Sequence, residues 1–264
     1  MIKILDLNFH YQLNPERKIL RDITLTFNAN EFSVILGPNG SGKTTLIKLI
    51  ARLIKPVSGK LFLKDIPYEK IKIKEFYKQI SYVPQKFISI YPYTVYEIVL
   101  MGRSLNFSLL GYESQNDVKK VNEILERLEL SHLAKKRINE ISGGELQKVI
   151  LARSLVQETE IILLDEPNTH LDLKHQVQIF ELLKSLKDNG KTIIAVSHDI
   201  NLASFYADRL IFIKDGMIKY DGDIASTLRE DIIEEIFEIE NKILFDPLEN
   251  TPQLIIKPLR KKID

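Results

Sequence analysis

The sequence predicts an α/β fold: a phosphate-loop type core, an antiparallel β part near the N-terminus, and a helical subdomain over about residues 86–160. Three observations carry that expectation. The apolar run Phe32 to Leu36 enters a Gly-rich turn and then a helix-forming stretch near Lys43 to Leu53, the strand, turn and helix succession of α/β proteins. From about Thr94 to Gln157 the apolar spacing becomes helical. Beyond it, the strands Ile161 to Asp165 and Thr192 to Ser197 enclose a helix with an apolar stripe at Leu173, Val177, Phe180 and Leu183.

Composition sets the outer limits. The chain has 264 residues, 44% hydrophobic and 28% charged, as expected of one globular domain or one domain with a helical insert. Lys and Arg number 37 against 36 for Asp and Glu, a net charge of +1, which argues against a nucleic-acid backbone as the main partner. With no cysteine there are no disulfides or thiolate metal sites. Met1 to Tyr11 lacks the apolar core of a signal peptide, and no apolar run approaches the ~20 residues that cross a bilayer. Any membrane association is therefore expected to pass through a partner.

Taken in order, Ile2 to Phe9, Ile19 to Phe27 and Phe32 to Leu36 read as strands, and Lys43 to Leu53 as a helix. Within the helical stretch, Val118, Val121, Leu125 and Leu128 share one face. Asp215-Gly216, between Leu210 to Ile213 and Met217 to Tyr220, reads as a hairpin turn. A short helix or two follows Asp223. The main domain is expected over 1–239, and the tail 240–264, with Arg260, Lys261 and Lys262, reads as weakly ordered.

Gly37-Pro38-Asn39-Gly40-Ser41-Gly42-Lys43-Thr44 matches the phosphate-binding loop pattern Gly-x4-Gly-Lys-Ser/Thr, with Thr45 next in line. Glycines let successive backbone N–H groups curl around phosphates, and the following helix points its positive end at them. Lys43 is placed to neutralise the outer phosphates, and the Thr44 hydroxyl to ligate Mg²⁺. Ile161 to Leu164 form a buried strand whose end carries Asp165 and Glu166. Open α/β sheets bind ligands at such ends. Asp165 is placed to hold Mg²⁺, and Glu166 to act as general base toward water. Either segment alone has a bland reading, a Gly-rich turn or an acidic helix cap; together they specify a nucleotide hydrolase.

Ile141-Ser142-Gly143-Gly144-Glu145 resembles the Leu-Ser-Gly-Gly-Gln signature of ABC ATPases, with Ile for Leu and Glu for Gln. Ser142, Gly143 and Gly144 present a hydroxyl and helix N-terminal amides to phosphate. The resemblance extends over about Ile2 to Gly222 and implies further roles. Tyr11 stands where the family stacks an aromatic on adenine. Gln85 stands where a glutamine touches Mg²⁺ or water and hinges toward the membrane partner. Asn168 to Asp172 resemble the D-loop, and His198 the histidine that senses the γ-phosphate.

Thr94 to Arg103, Thr169 to Leu173 and His198 to Ala203 are most similar to ATPase subunits serving iron–siderophore, haem and cobalamin importers. That implies two chains joined through two ATP molecules, integral-membrane permease subunits, an indirect link to a substrate-binding protein, and a place on the cytoplasmic face of the membrane. No nucleic-acid partner is expected. Another ABC transporter, an oxyanion importer or an exporter, is the alternative; a soluble non-transport ABC protein and a regulatory module without turnover are weaker ones. The aromatic-rich span Lys86 to Arg103 is expected to meet the permease, its side chains otherwise filling the helical subdomain's core.

Overall fold

A computed structural model describes residues 1–12, 16–107, 113–167, 171–247 and 251–257. In chain order its elements are β1 (Ile2–Phe9), β2 (Leu20–Phe27), β3 (Phe32–Leu36), α1 (Lys43–Ile50), β4 (Ser58–Leu63) and β5 (Ile66–Pro67). Then come α2 (Ile73–Tyr77), β6 (Ile80–Val83), α3 (Val95–Leu100), α4 (Gln115–Arg127), α5 (Gly143–Leu155), β7 (Ile161–Asp165) and α6 (Leu173–Asp188). The chain continues with β8 (Thr192–Val196), α7 (Ile200–Tyr206), β9 (Arg209–Lys214), β10 (Met217–Asp223), α8 (Ile224–Thr227), α9 (Glu230–Phe237), β11 (Asn241–Phe245) and β12 (Pro252–Ile256). Two compact units result, Met1–Lys70 with Phe180–Asp264, and Ile71–Ile179.

In the first unit, β1 pairs antiparallel with β2 and β4, Ile2 facing Phe27 and Leu63. Ile2 and Ile4, then Leu7 and Phe9, of β1 point inward, the alternation of a half-solvated antiparallel sheet shifting phase at the irregularity between Ile4 and Leu7. A second sheet of this unit runs β10-β9-β3-β8. All five residues of β3 and of β8 are buried, because parallel strands covered on both faces need continuous apolar runs. Asp215 and Gly216 take φ of 51° and 75° and join β9 to β10, as expected for a two-residue hairpin turn. Phe27, Phe32, Phe180 and Phe212 are fully buried here, each contributing ~1.5–3 kcal/mol.

Two expectations are corrected. The tail is not weakly ordered over its described part: β11 and β12 form an antiparallel hairpin that buries Asn241 and Leu254. Each strand has only five residues, and the hairpin's supports on α7 and α9 cannot be seen in its own sequence. Arg260, Lys261 and Lys262 lie outside the described residues. The apolar stripe of α6 is buried only at its C-terminal half; Phe180 and Leu183 are covered, whereas Leu173 is 80% exposed. Periodicity marks a face without stating what covers it.

The second unit holds β6 and β7 as a parallel pair and the helices from α2 to α5, including the whole stretch 86–160. Thr94 and Glu97 close a capping box at the start of α3, and Ser114 and Asp117 do the same for α4. On α4, Val121 and Leu125 are buried. After α3, Gly102 presses on α5 so closely that a Cβ there would stand 2.2 Å from the Arg153 carbonyl oxygen. Its neighbour Arg103 is buried and donates through Nε to Asp117 Oδ1 at 2.8 Å. Its Nη1 donates to the Val156 carbonyl at 2.8 Å and to Glu158 at 3.0 Å. One guanidinium thus ties α3, α4 and the end of α5 together.

Candidate functional site

In the first unit the site residues gather where parallel strands end. Ile35 of β3 pairs with Val196 of β8. Two residues beyond each lie Gly37 and His198, so the register sets the start of the loop beside the histidine. Gly37 has φ of 151°, and a Cβ on it would stand 2.0 Å from the Ile213 carbonyl oxygen, so no other residue fits. The loop then climbs into α1, whose cap Gly42 gives no side-chain hydrogen bond and whose first turn carries no acidic residue. An uncapped, uncompensated helix N-terminus is the electrostatic setting an anion prefers.

Lys43 is buried, its Nζ donating to the Gly37 and Pro38 carbonyls at 2.7 and 2.9 Å. The ammonium thereby closes the loop of Gly37, Pro38, Asn39, Gly40, Ser41 and Gly42 from within. Ser41 Oγ is buried with no hydrogen-bond partner, a polar atom that a phosphate oxygen would satisfy. Thr44 and Thr45 occupy the first turn of α1. Tyr11 is part exposed, its hydroxyl 3.3 Å from Thr45 Oγ1 and its ring edge-on to Phe9 at 4.9 Å. An aromatic is therefore held beside the phosphate-loop helix, where its outer face can take a flat ring. His198 is exposed, between the fully buried Ser197 and Asp199, which caps α7 by accepting from the Leu202 N–H at 2.9 Å.

The second unit repeats the logic. Val83 of β6 pairs with Leu164 of β7, and two residues beyond each lie Gln85 and Glu166. Gln85 Nε2 donates to Glu166 Oε2 at 2.6 Å. Glu166 is buried with φ of 53°, a left-handed conformation costly for a side chain and concentrated at functional sites. Asp165 is also buried and accepts from the Tyr82 hydroxyl at 3.3 Å. Burial, then the Asp165 charge, pushes the Tyr82 phenol well above its ordinary range, so it stays a donor. Among the described residues no group of three His, Cys, Asp or Glu side chains could hold a metal unaided. The Asp165 carboxylate suits Mg²⁺, which takes one or two carboxylates and completes its shell with phosphates and water.

Ser142 caps α5 in the same unit. Its N–H and Oγ both donate to Glu145 Oε2, at 2.7 and 2.8 Å, and the Glu145 N–H returns to Ser142 Oγ at 3.3 Å. Those Ser142 donors hold the Glu145 carboxyl below its ordinary range. Ser142 and Gly143 are exposed, and a Cβ on Gly143 would meet nothing within 4 Å. Gly144 is closed in by Leu171 Cδ2, 3.0 Å from its notional Cβ. Of the D-loop stretch, Asn168, Thr169 and His170 lie outside the described residues; Asp172 accepts from the His175 N–H at 2.9 Å at the start of α6.

After Gln85, Ile88 is 87% exposed, Ile90 92% and Tyr91 66%, while Val95 is buried and Phe87 lies against the Arg153 guanidinium. The span is thus part core and part surface. Sequence reasoning assigned no role to Tyr82. No sequence signal marks Tyr82, because its contact with Asp165 depends on the register between β6 and β7, far apart in the chain.

The family described as ABC transporter matches residues 20–169. An iron(3+)-hydroxamate import ATP-binding protein of Bacillus subtilis (strain 168) is 33% identical over 247 residues, 93% of this chain and 92% of the relative. A solved ABC transporter in an inward-facing conformation superposes with a TM-score of 0.83, at 26% identity, over 97% of each chain. A dimeric ATP-binding cassette, solved in a post-hydrolysis state with ADP and phosphate, superposes with a TM-score of 0.77. It is 33% identical, over 84% of this chain and 98% of its own.

Proposed function

The chain belongs to the ABC transporter family as an ABC-type ATPase, and from that premise we propose that it powers import of a metal chelate through a separate membrane permease. Ferric siderophores, haem and cobalamin are the substrate class. Kinship to an iron–hydroxamate import subunit along nearly the whole chain is the observation that carries this reading.

The roles follow the chemistry of the strand ends. Gly37, Pro38, Asn39, Gly40, Ser41, Gly42, Lys43 and Thr45 hold the phosphates of ATP, and Tyr11 stacks on its adenine. Thr44, Asp165 and Gln85 would hold Mg²⁺, which would neutralise phosphate charge there. Glu166 takes a proton from water as the water oxygen bonds the γ-phosphorus and the bond to the ADP oxygen breaks. His198 contacts the γ-phosphate. Ser142, Gly143 and Gly144 close on the ATP held by a second copy, so that two ATP molecules join two chains. The exposed Ile88, Ile90 and Tyr91 support permease docking just after Gln85. The partners place the subunit at the cytoplasmic face of the membrane, with a substrate-binding protein reached through the permease.

The test is co-purification with the native permease, then ATPase assays across binding proteins loaded with ferric siderophores, haem, cobalamin or oxyanions. Stimulation by a metal chelate is expected. Stimulation by an oxyanion alone overturns the substrate class.

A further inference from the structure

The C-terminal hairpin is held at both edges at one register. Leu254 of β12 lies opposite Ile243 of β11. On the outer edge of β12, the Leu254 N–H donates to Asn201 Oδ1 at 2.7 Å, and Asn201 Nδ2 donates to the Leu254 carbonyl at 3.1 Å. The Asn201 amide thus pairs with the strand edge as another strand would. Ser204 Oγ adds a bond to the Pro252 carbonyl at 3.0 Å. On the opposite edge, the Ile243 N–H donates to Glu230 Oε1 at 3.1 Å, and Asn241 Nδ2 donates to the Glu230 carbonyl at 2.9 Å. α9 is itself tied to β9, Lys214 Nζ reaching the Glu235 carbonyl and Glu238 Oε1, both at 2.7 Å.

The hairpin is therefore a strut from α9 to α7. α7 has seven residues, too few to be stable by its own propensity, and it starts directly after His198 and its cap Asp199. Whatever fixes α7 fixes the exit of the chain from His198. We propose that Asn201 is a positioning residue which, through the paired strands β11 and β12, sets the direction of the His198 imidazole during ATP hydrolysis. The inference rests on the reading of His198 as the γ-phosphate contact.

The test uses the full chain as His198→Ala, Asn201→Ala and the double variant, with Ser204→Ala as a milder release of the same strut. Asn201→Ala is expected to lower kcat about tenfold while KM and the Kd for labelled ATP stay within about twofold, the signature of an interaction lost only in the transition state. In single-turnover phosphate release it adds no further loss on the His198→Ala background, because interacting positions are non-additive. The His198 imidazole resonance, one of five in the chain, shifts in Asn201→Ala. Ser204→Ala shifts it in the same sense by less. Full kcat in Asn201→Ala, or a loss that simply multiplies with that of His198→Ala, makes Asn201 structural and overturns the proposal. Normal turnover in His198→Ala instead removes the γ-phosphate reading, and the proposal with it.

Discussion

Glu166 reaches its position by a left-handed backbone turn and accepts a hydrogen bond from Gln85. Glu166→Gln keeps that contact as an amide pair and removes the base. Turnover is expected to fall by ~10²–10⁴, with MgATP still bound and an ATP-joined dimer accumulating on gel filtration; near-normal phosphate release removes Glu166 from the base role. Glu145 works by the opposite logic. Its carboxylate stabilises the start of α5 and occupies both donors of Ser142. Glu145→Gln should cost roughly 0.5 kcal/mol of helix stability yet lower the ATP concentration at which dimers form, since one negative charge no longer faces an incoming phosphate. An unchanged or higher ATP requirement counts against that repulsion. Because the Glu145 pKa is depressed, its stabilising share is full above the ordinary carboxylate range and fades as pH falls through the folded value. The glycines, Lys43 and the acidic pair were legible because each belongs to a short contiguous pattern. The Gln85–Glu166 contact was not, because it depends on register between strands far apart in sequence.

Among the elements, the joint of α3, α4 and α5 turns on Arg103 and Asp117. Burial raises the Asp117 carboxyl, but the Ser114 donors and the Arg103 guanidinium outweigh it and hold the group at about 2. Its contribution is therefore complete above the unfolded value near pH 4 and is lost as pH falls through about 2. Asp117→Asn strips the charge opposite a buried guanidinium, for which about 3 kcal/mol of destabilisation is expected at neutral pH. Its urea midpoint should also vary less with pH below 4 than that of the parent. Equal acid sensitivity in both proteins would assign the effect to another carboxylate. The sequence marked α4 by its apolar face and identified Gly102 and Arg103 by resemblance, but gave no reason for either. Close helix approach and a buried ion pair are properties of packing, invisible to periodicity. The same limit hid β11 and β12, whose supports Asn201 and Glu230 lie far from at least one strand in the chain.

For the whole molecule, the fold class was legible because parallel strands buried on both faces must be continuous apolar runs, which β3, β7 and β8 are. What covers the exposed side chains of 88–91 was not, since the covering surface belongs to another chain in the reading argued above. Tyr91→Asp should abolish co-purification with the permease while leaving the melting temperature within about 2 °C, as expected for an exposed position. Retained co-purification moves the docking surface elsewhere. Those bare side chains also bear on how the protein is made. A subunit synthesised ahead of its permease carries Ile88, Ile90 and Tyr91 open to water, and such patches draw chains together as concentration rises. On the proposed docking, chains made in excess of the permease should aggregate more readily than chains made with it, which expression of the subunit with and without the permease would show.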